Sequence, residues 1–181
     1  MKKFMFILVS VVLLAAGSEG LARERSGHEN ACDDPHAIHG TPGNDVIKGT
    51  DRDDIICGEG GNDVIKGKGG NDIIITDFGN DTVDGGSGND TIIDLGGNNL
   101  LKGGEGDDEI FAGFGDDYID GGSGNDTIND LGGFDTLKGG SGDDTICTPQ
   151  GLNTPGPVDG GEGEHDFCPY IGKRCEGLCV F

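Results

Sequence analysis

A nine-residue period dominates this chain: twelve consecutive units in unbroken register run from residue 40 to residue 147. The first reads GTPGNDVIK, and later ones read GGSGNDTII (85–93), GGEGDDEIF (103–111) and GGSGDDTIC (139–147). Eleven of the twelve place an aspartate sixth, and all twelve place an aliphatic residue eighth, from Ile47 to Ile146. The fourth place is glycine except at Arg52, and the fifth is Asn or Asp except at Phe134. Gly-x-Asn/Asp-Asp supplies the positive-φ and side-chain-capped conformations of a tight turn. The mostly β-branched or aliphatic residues that follow suit a short strand. Each unit therefore reads as a six-residue turn and a three-residue strand whose middle side chain points inward. One unit cannot bury that side chain alone, and stacked units can, so the period dictates a solenoid. Its turns present a ladder of carboxylates, which are hard oxygen ligands suited to calcium, with its flexible coordination, rather than to magnesium.

The repeated GGxGxDx(aliphatic)x pattern resembles the RTX, or hemolysin-type, calcium-binding nonapeptide repeat of serralysin-like proteases and secreted bacterial toxins. That resemblance implies an all-β fold, a right-handed parallel β-roll of about six coils with two nonapeptides per coil. It also implies calcium ions between turns of neighbouring coils, so that unit n shares an ion with unit n+2. The ligands it implies are turn main-chain oxygens with the sixth-place side chains Asp45, Asp54, Asp63, Asp72, Asp81, Asp90, Asn99, Asp108, Asp117, Asp126, Asp135 and Asp144. Twelve units stacked this way hold up to about ten ions. Asn99 offers a neutral oxygen where a charge is expected, and Arg52 brings a positive charge beside a cation site. Odd-numbered units from the fifth onward open with Thr76-Asp77, Asp94-Leu95, Ala112-Gly113 and Asp130-Leu131 instead of Gly-Gly. The even row is expected to be well occupied and the odd row weaker around Asn99.

The formal charge is −22, and loss of Lys2 and Lys3 with a leader makes it about −24. Carboxylates on coils about 5 Å apart repel one another unless cations intervene. Ordering is therefore expected to be coupled to ion binding. The same charge disfavours nucleic acid as a partner, because an acidic surface repels phosphates.

Residues 1–18 carry Lys2 and Lys3, an apolar run and then small residues, the pattern of a secretory signal peptide, with cleavage as late as residue 22. The chain is thus expected to be secreted and extracellular, with no membrane span. Residues 19–39 read as an N-terminal cap, 40–147 as the roll, and 148–181 as a Pro/Gly-rich loop, a degenerate last repeat at 160–168 and a cysteine-rich cap. Cys32, Cys57, Cys147, Cys168, Cys175 and Cys179 suit an oxidising compartment. Cys57 and Cys147 lie five coils apart, roughly 24 Å at the usual strand spacing, and cannot pair. The expected staples are Cys32–Cys57 at the front, Cys147–Cys168 at the back and a small Cys175–Cys179 loop, with Cys147–Cys175 or Cys147–Cys179 as alternatives.

Ile75, Ile93 and Phe111 hold the ninth place of even units and should point outward as an apolar stripe. Such a stripe would dock a partner, support self-association, lie under the C-terminal tail or stand simply exposed. The ninth place of the odd units instead runs Lys48, Lys66, Asp84, Lys102, Asp120 and Lys138, a potential charge ladder on a solvated face. No catalytic constellation stands out. There is no His-Glu-x-x-His, the Gly-Gly-Ser-Gly turns are not a Gly-x-Ser-x-Gly elbow, and about 20 residues ahead of the roll are too few for a catalytic domain. His36 and His39 beside Asp33 and Asp34 read as a polar cap or a small metal site. The expectation is a calcium-binding protein that is not an enzyme; an extracellular adhesive or matrix protein is the alternative, and an enzyme's accessory domain a remoter one.

Overall fold

The computed structural model describes residues 31–148 and 158–162. Two seven-stranded parallel sheets face each other. The first holds β1 (Ile38–Thr41), β3 (Ile55–Glu59), β5 (Ile73–Thr76), β7 (Thr91–Ile93), β9 (Glu109–Ala112), β11 (Thr127–Asp130) and β13 (Thr145–Cys147). The second holds β2 (Val46–Lys48), β4 (Val64–Gly69), β6 (Thr82–Ser87), β8 (Leu100–Glu105), β10 (Tyr118–Ser123), β12 (Thr136–Ser141) and β14 (Val158–Glu162). Each strand pairs with the strand two places along the chain. Ile65 thus sits beside Val83 and Ile92 beside Ile110. The chain alternates between the sheets once per nonapeptide, so two units make one coil and there are about six coils.

The eighth-place residues form the core. Ile56, Ile65, Ile74, Val83, Ile92, Leu101, Ile110, Ile119 and Ile128 are completely buried in one continuous file between the sheets. At roughly 1.5–3 kcal/mol per buried aliphatic side chain, this file is the main apolar contribution to the fold.

Strand lengths depart from the three-residue expectation. Most strands of the second sheet run six residues, through the Gly-Gly that opens the next even unit. Gly86, Gly104, Gly122 and Gly140 continue the strand at φ of 115–125°, which glycine adopts without a Cβ penalty. The roll also reaches past both ends of the twelve units. Ile38 pairs with Ile56 and packs on the core before the first unit. Val158 pairs with Leu137, and Gly161 with Gly140, so a strand begins inside the segment read as loop.

The apolar stripe is corrected by the structure. Ile75 and Ile93 point away from the central core, yet they are only 6% and 2% exposed and form a second cluster with Leu95. Ala31 and Cys32, Ile73 and Phe111 pack against that cluster. Ala31–Asp33 form a 3-10 turn, and Cys32 is bonded to Cys57 in the file of ninth-place residues, which brings this segment to the stripe. The large exposed hydrophobics instead include Phe78, Phe114 and Phe134, all on odd turns.

The expected Cys32–Cys57 staple is present. Cys147 is also disulfide-bonded; the expected Cys147–Cys168 and Cys175–Cys179 pairings, like the leader, reach outside the described residues.

Candidate metal centre

Sixth-place carboxylates stitch each coil to the next. Oδ1 of Asp72 accepts from the amide of Asp54, Oδ1 of Asp90 from Asp72, Oδ1 of Asp108 from Asp90, and so on to Asp126 and Asp144, at 2.8 Å. The odd row repeats this at 2.8–2.9 Å through Asp45, Asp63, Asp81, Asn99, Asp117 and Asp135. A second ladder of fifth-place side chains runs in the opposite sense. The amide of Asn80 donates to Oδ1 of Asn62, and that of Asn98 to Asn80, both at 2.8 Å. The sequence reading assigned these Asn and Asp residues only to turn capping. The 18-residue step of the coil, once known, places each beside the next.

From Asp63 and Asp72 onward, each ladder carboxylate spends one oxygen on its neighbour's amide. The other oxygen, Oδ2, is buried without a hydrogen-bond partner at Asp72, Asp90, Asp108, Asp117, Asp126 and Asp135. In the even row it faces the glycine that opens its own unit. A methyl group on Gly85 would stand 2.4 Å from Oδ2 of Asp90 and 2.6 Å from the carbonyl oxygen of Gly103 on the next coil. Gly67, Gly103 and Gly121 repeat the arrangement with Asp72, Asp108 and Asp126. Only glycine leaves a carboxylate oxygen and a main-chain carbonyl facing the same space. An unpaired buried carboxylate is costly, and a cation-binding cradle of hard oxygens accounts for it. The residues present therefore fit calcium. Burial raises these groups: Asp72, Asp90 and Asp126 to about 6 and Asp108 to about 7, against the lowering effect of the ladder hydrogen bond.

The first coil and the odd row differ. Oδ2 of Asp45 accepts from the amide and hydroxyl of Thr41, and Oδ2 of Asp54 from those of Thr50, at 2.6–2.8 Å. The Lys68 ammonium donates to the carbonyl of Gly49, so side chains close this end. Arg52, expected to disturb a site here, is exposed. In the odd row Thr76, Asp94, Ala112 and Asp130 occupy the cradle position with buried side chains. Asn99 is not a weaker copy of the aspartate: its Nδ2 donates to Oδ2 of Asp94 at 2.8 Å.

His36 and His39 do not converge on one site. His36 Nδ1 lies 3.2 Å from Asp34 and His39 Nδ1 3.3 Å from Glu59. Of the odd-row charge ladder, Lys66 and Asp84 approach to 3.7 Å, and Lys138 lies 5.1 Å from the centroid of the Tyr118 ring.

Fold and turns together define a parallel β-roll of the calcium-binding class. The family model for the RTX calcium-binding nonapeptide repeat matches in four copies, over residues 39–74, 58–92, 94–128 and 120–148. The chain belongs to that family. No match was found among curated proteins or solved structures.

Proposed function

We propose that this is a secreted protein whose roll folds around calcium, and that binding calcium is its direct activity. The observation that carries the reading is the file of buried, unpartnered Oδ2 atoms at Asp72, Asp90, Asp108 and Asp126, each opposite a glycine carbonyl. These four even-row cradles are the principal sites, fewer than the ten that uniform stacking allows. In calcium's absence their charges repel one another inside a low-dielectric wall. Secretion is supported by the leader pattern of residues 1–18 and by the Cys32–Cys57 bond. The acidic residues serve the ladders and cradles, and the protein acts by binding rather than by catalysis. Calorimetric titration of the full, oxidised chain tests the reading: several ions bound per chain, with ordering of the backbone, support it, and no binding sinks it.

A second reading, an extracellular structural or adhesive protein, draws on the odd turns rather than on the buried isoleucine stripe. Phe78 and Phe114 are 66% and 62% exposed and bridge the intervening Gly96 on consecutive coils. In this reading the calcium-loaded rolls self-associate through these rings. Sedimentation of Phe114→Ser in calcium tests it: a wild type that associates and a variant that does not is the expected result.

A further inference from the structure

Two odd rungs share one design and end differently. In the first, Asp94 is fully provided for. Thr76 Oγ1 donates to its Oδ1 at 2.9 Å, Asn99 Nδ2 to its Oδ2 at 2.8 Å, and the amide of Gly113 approaches Oδ2 at 3.4 Å. Two coils on, Asp130 holds the equivalent cradle position, but Ala112 stands where Thr76 stood and Asp135 where Asn99 stood. Both side-chain donors are gone. Asp130 Oδ1 keeps only the amide of Gly132 at 3.2 Å, and its Oδ2 is buried and unpartnered, as are Oδ2 of Asp117 and of Asp135. Asp130 is 0% exposed, and ligand atoms of the three carboxylates lie within 4.8 Å of one another.

Three buried carboxylates that approach this closely, each with an Oδ2 that has no hydrogen-bond partner, form a site for a hard cation. We propose that Asp117, Asp130 and Asp135 form a tricarboxylate calcium site, with Asp130 a ligand supplied from outside the nonapeptide's sixth-place rule, while the Thr76–Asp94–Asn99 rung is sealed by hydrogen bonds and takes no ion. The odd row thus contains one metal-independent rung and, two coils on, one site of high charge. Charge count sets affinity at oxygen sites, so this site favours trivalent ions such as terbium as well as calcium. The proposal rests on the calcium-roll reading above: Asp117 and Asp135 are sixth-place ligands that the repeat already implies, and what is added is Asp130 as a third carboxylate and the exclusion of the Asp94 rung.

Tyr118 follows Asp117 directly, their Cα atoms about 3.8 Å apart, and so provides an optical reporter of this site. The experiment is tyrosine-sensitised terbium luminescence on the full oxidised chain, with calcium as competitor. The wild type is expected to show emission that disappears in Tyr118→Phe and is displaced by calcium. Asp130→Ala copies the alanine already buried at position 112, and it should weaken terbium and calcium at this site by about tenfold or more. The double variant Ala112→Thr, Asp135→Asn rebuilds the sealed rung and should abolish the signal while circular dichroism in calcium stays unchanged. Asp130→Asn, which keeps the shape, stands in should the alanine variant fail to fold. A Tyr118 signal that is absent in the wild type, or that titrates identically in the Asp130 variants, overturns the proposal. If calorimetry at the same time shows calcium bound elsewhere, the broader reading survives; if it shows none, that reading falls as well.

Discussion

The carboxylate of Asp108 accepts a hydrogen bond from the amide of Asp90, 18 residues earlier, at 2.8 Å through Oδ1, while its Oδ2 stays buried with no partner. One oxygen joins coil to coil; the other waits beside Gly103 and the carbonyl of Gly121. The same side chain thus serves both the fold and the cation site.

Asp108→Ala should therefore be harmful with or without calcium. It strands the buried amide of Asp90, which costs about 1–3 kcal/mol, and it removes one even-row ligand. Thermal unfolding in excess calcium, and in chelator at pH 5 where protonated carboxyls partly order the roll, checks both halves. The deficit should be larger in calcium, where the ligand is lost as well as the hydrogen bond.

Gly85→Ala tests the cradle itself. Its Cβ would meet Oδ2 of Asp90 at 2.4 Å and the carbonyl of Gly103 at 2.6 Å, and neither can yield without moving a coil. Calorimetry should show the local calcium site lost, and stability in calcium should fall by about 1–3 kcal/mol, the range of overpacked cores. Gly43→Ala, whose nearest neighbour would be Thr41 Oγ1 at 3.8 Å, is the control without a clash.

Acid should replace calcium in part. Burial raises Asp72, Asp90 and Asp126 to about 6 and Asp108 to about 7 from an ordinary 3.8. A carboxyl whose pKa rises on folding favours the folded chain while it is protonated. That stabilisation is complete below the unfolded value and is lost as pH climbs through 6 to 7. In chelator, circular dichroism should therefore report more order at pH 5 than at pH 8. Calcium affinity should move the other way and fall on acidification through the same window, because protons compete for Oδ2.

Breaking the Cys32–Cys57 bond should uncover the second apolar cluster. The staple closes a loop of 25 residues, worth about 3 kcal/mol on chain-entropy grounds. It also tethers Ala31 and Cys32 against Ile75 and Ile93. Cys32→Ser should melt earlier and bind an apolar dye more strongly. Unchanged dye binding would show that the segment stays docked without its bond.

The core and the coil were legible from periodicity alone, because an aliphatic residue at every eighth place has only one way to be buried. The distance between Cys57 and Cys147 excluded only that pair; Cys32–Cys57 was expected because both cysteines lie at the front of the roll, and the bond is present. The outward placement of the apolar stripe was legible, but the segment that packs on it, Ala31 and Cys32, lies outside the repeat, and nothing in the period announces it. Asp94 and Asn99 each registered as a departure from the pattern, but their partnership is a contact between the first and sixth places, visible only once the turn is folded. The same holds for Asp130, whose meaning depends on Ala112 and Asp135 rather than on its own unit. Lys68, a non-glycine at φ 88°, reaches back 19 residues to Gly49, and its own unit does not foretell that contact.

The central claim is that cations between coils let this anionic chain become a solid roll. Far-ultraviolet circular dichroism of the full oxidised chain at pH 8, in chelator and then through a calcium titration, tests it most directly. The account expects a largely unordered spectrum that converts cooperatively to β structure as calcium is added and reverts when it is withdrawn. A β spectrum already complete in chelator, and unmoved by calcium, would contradict it.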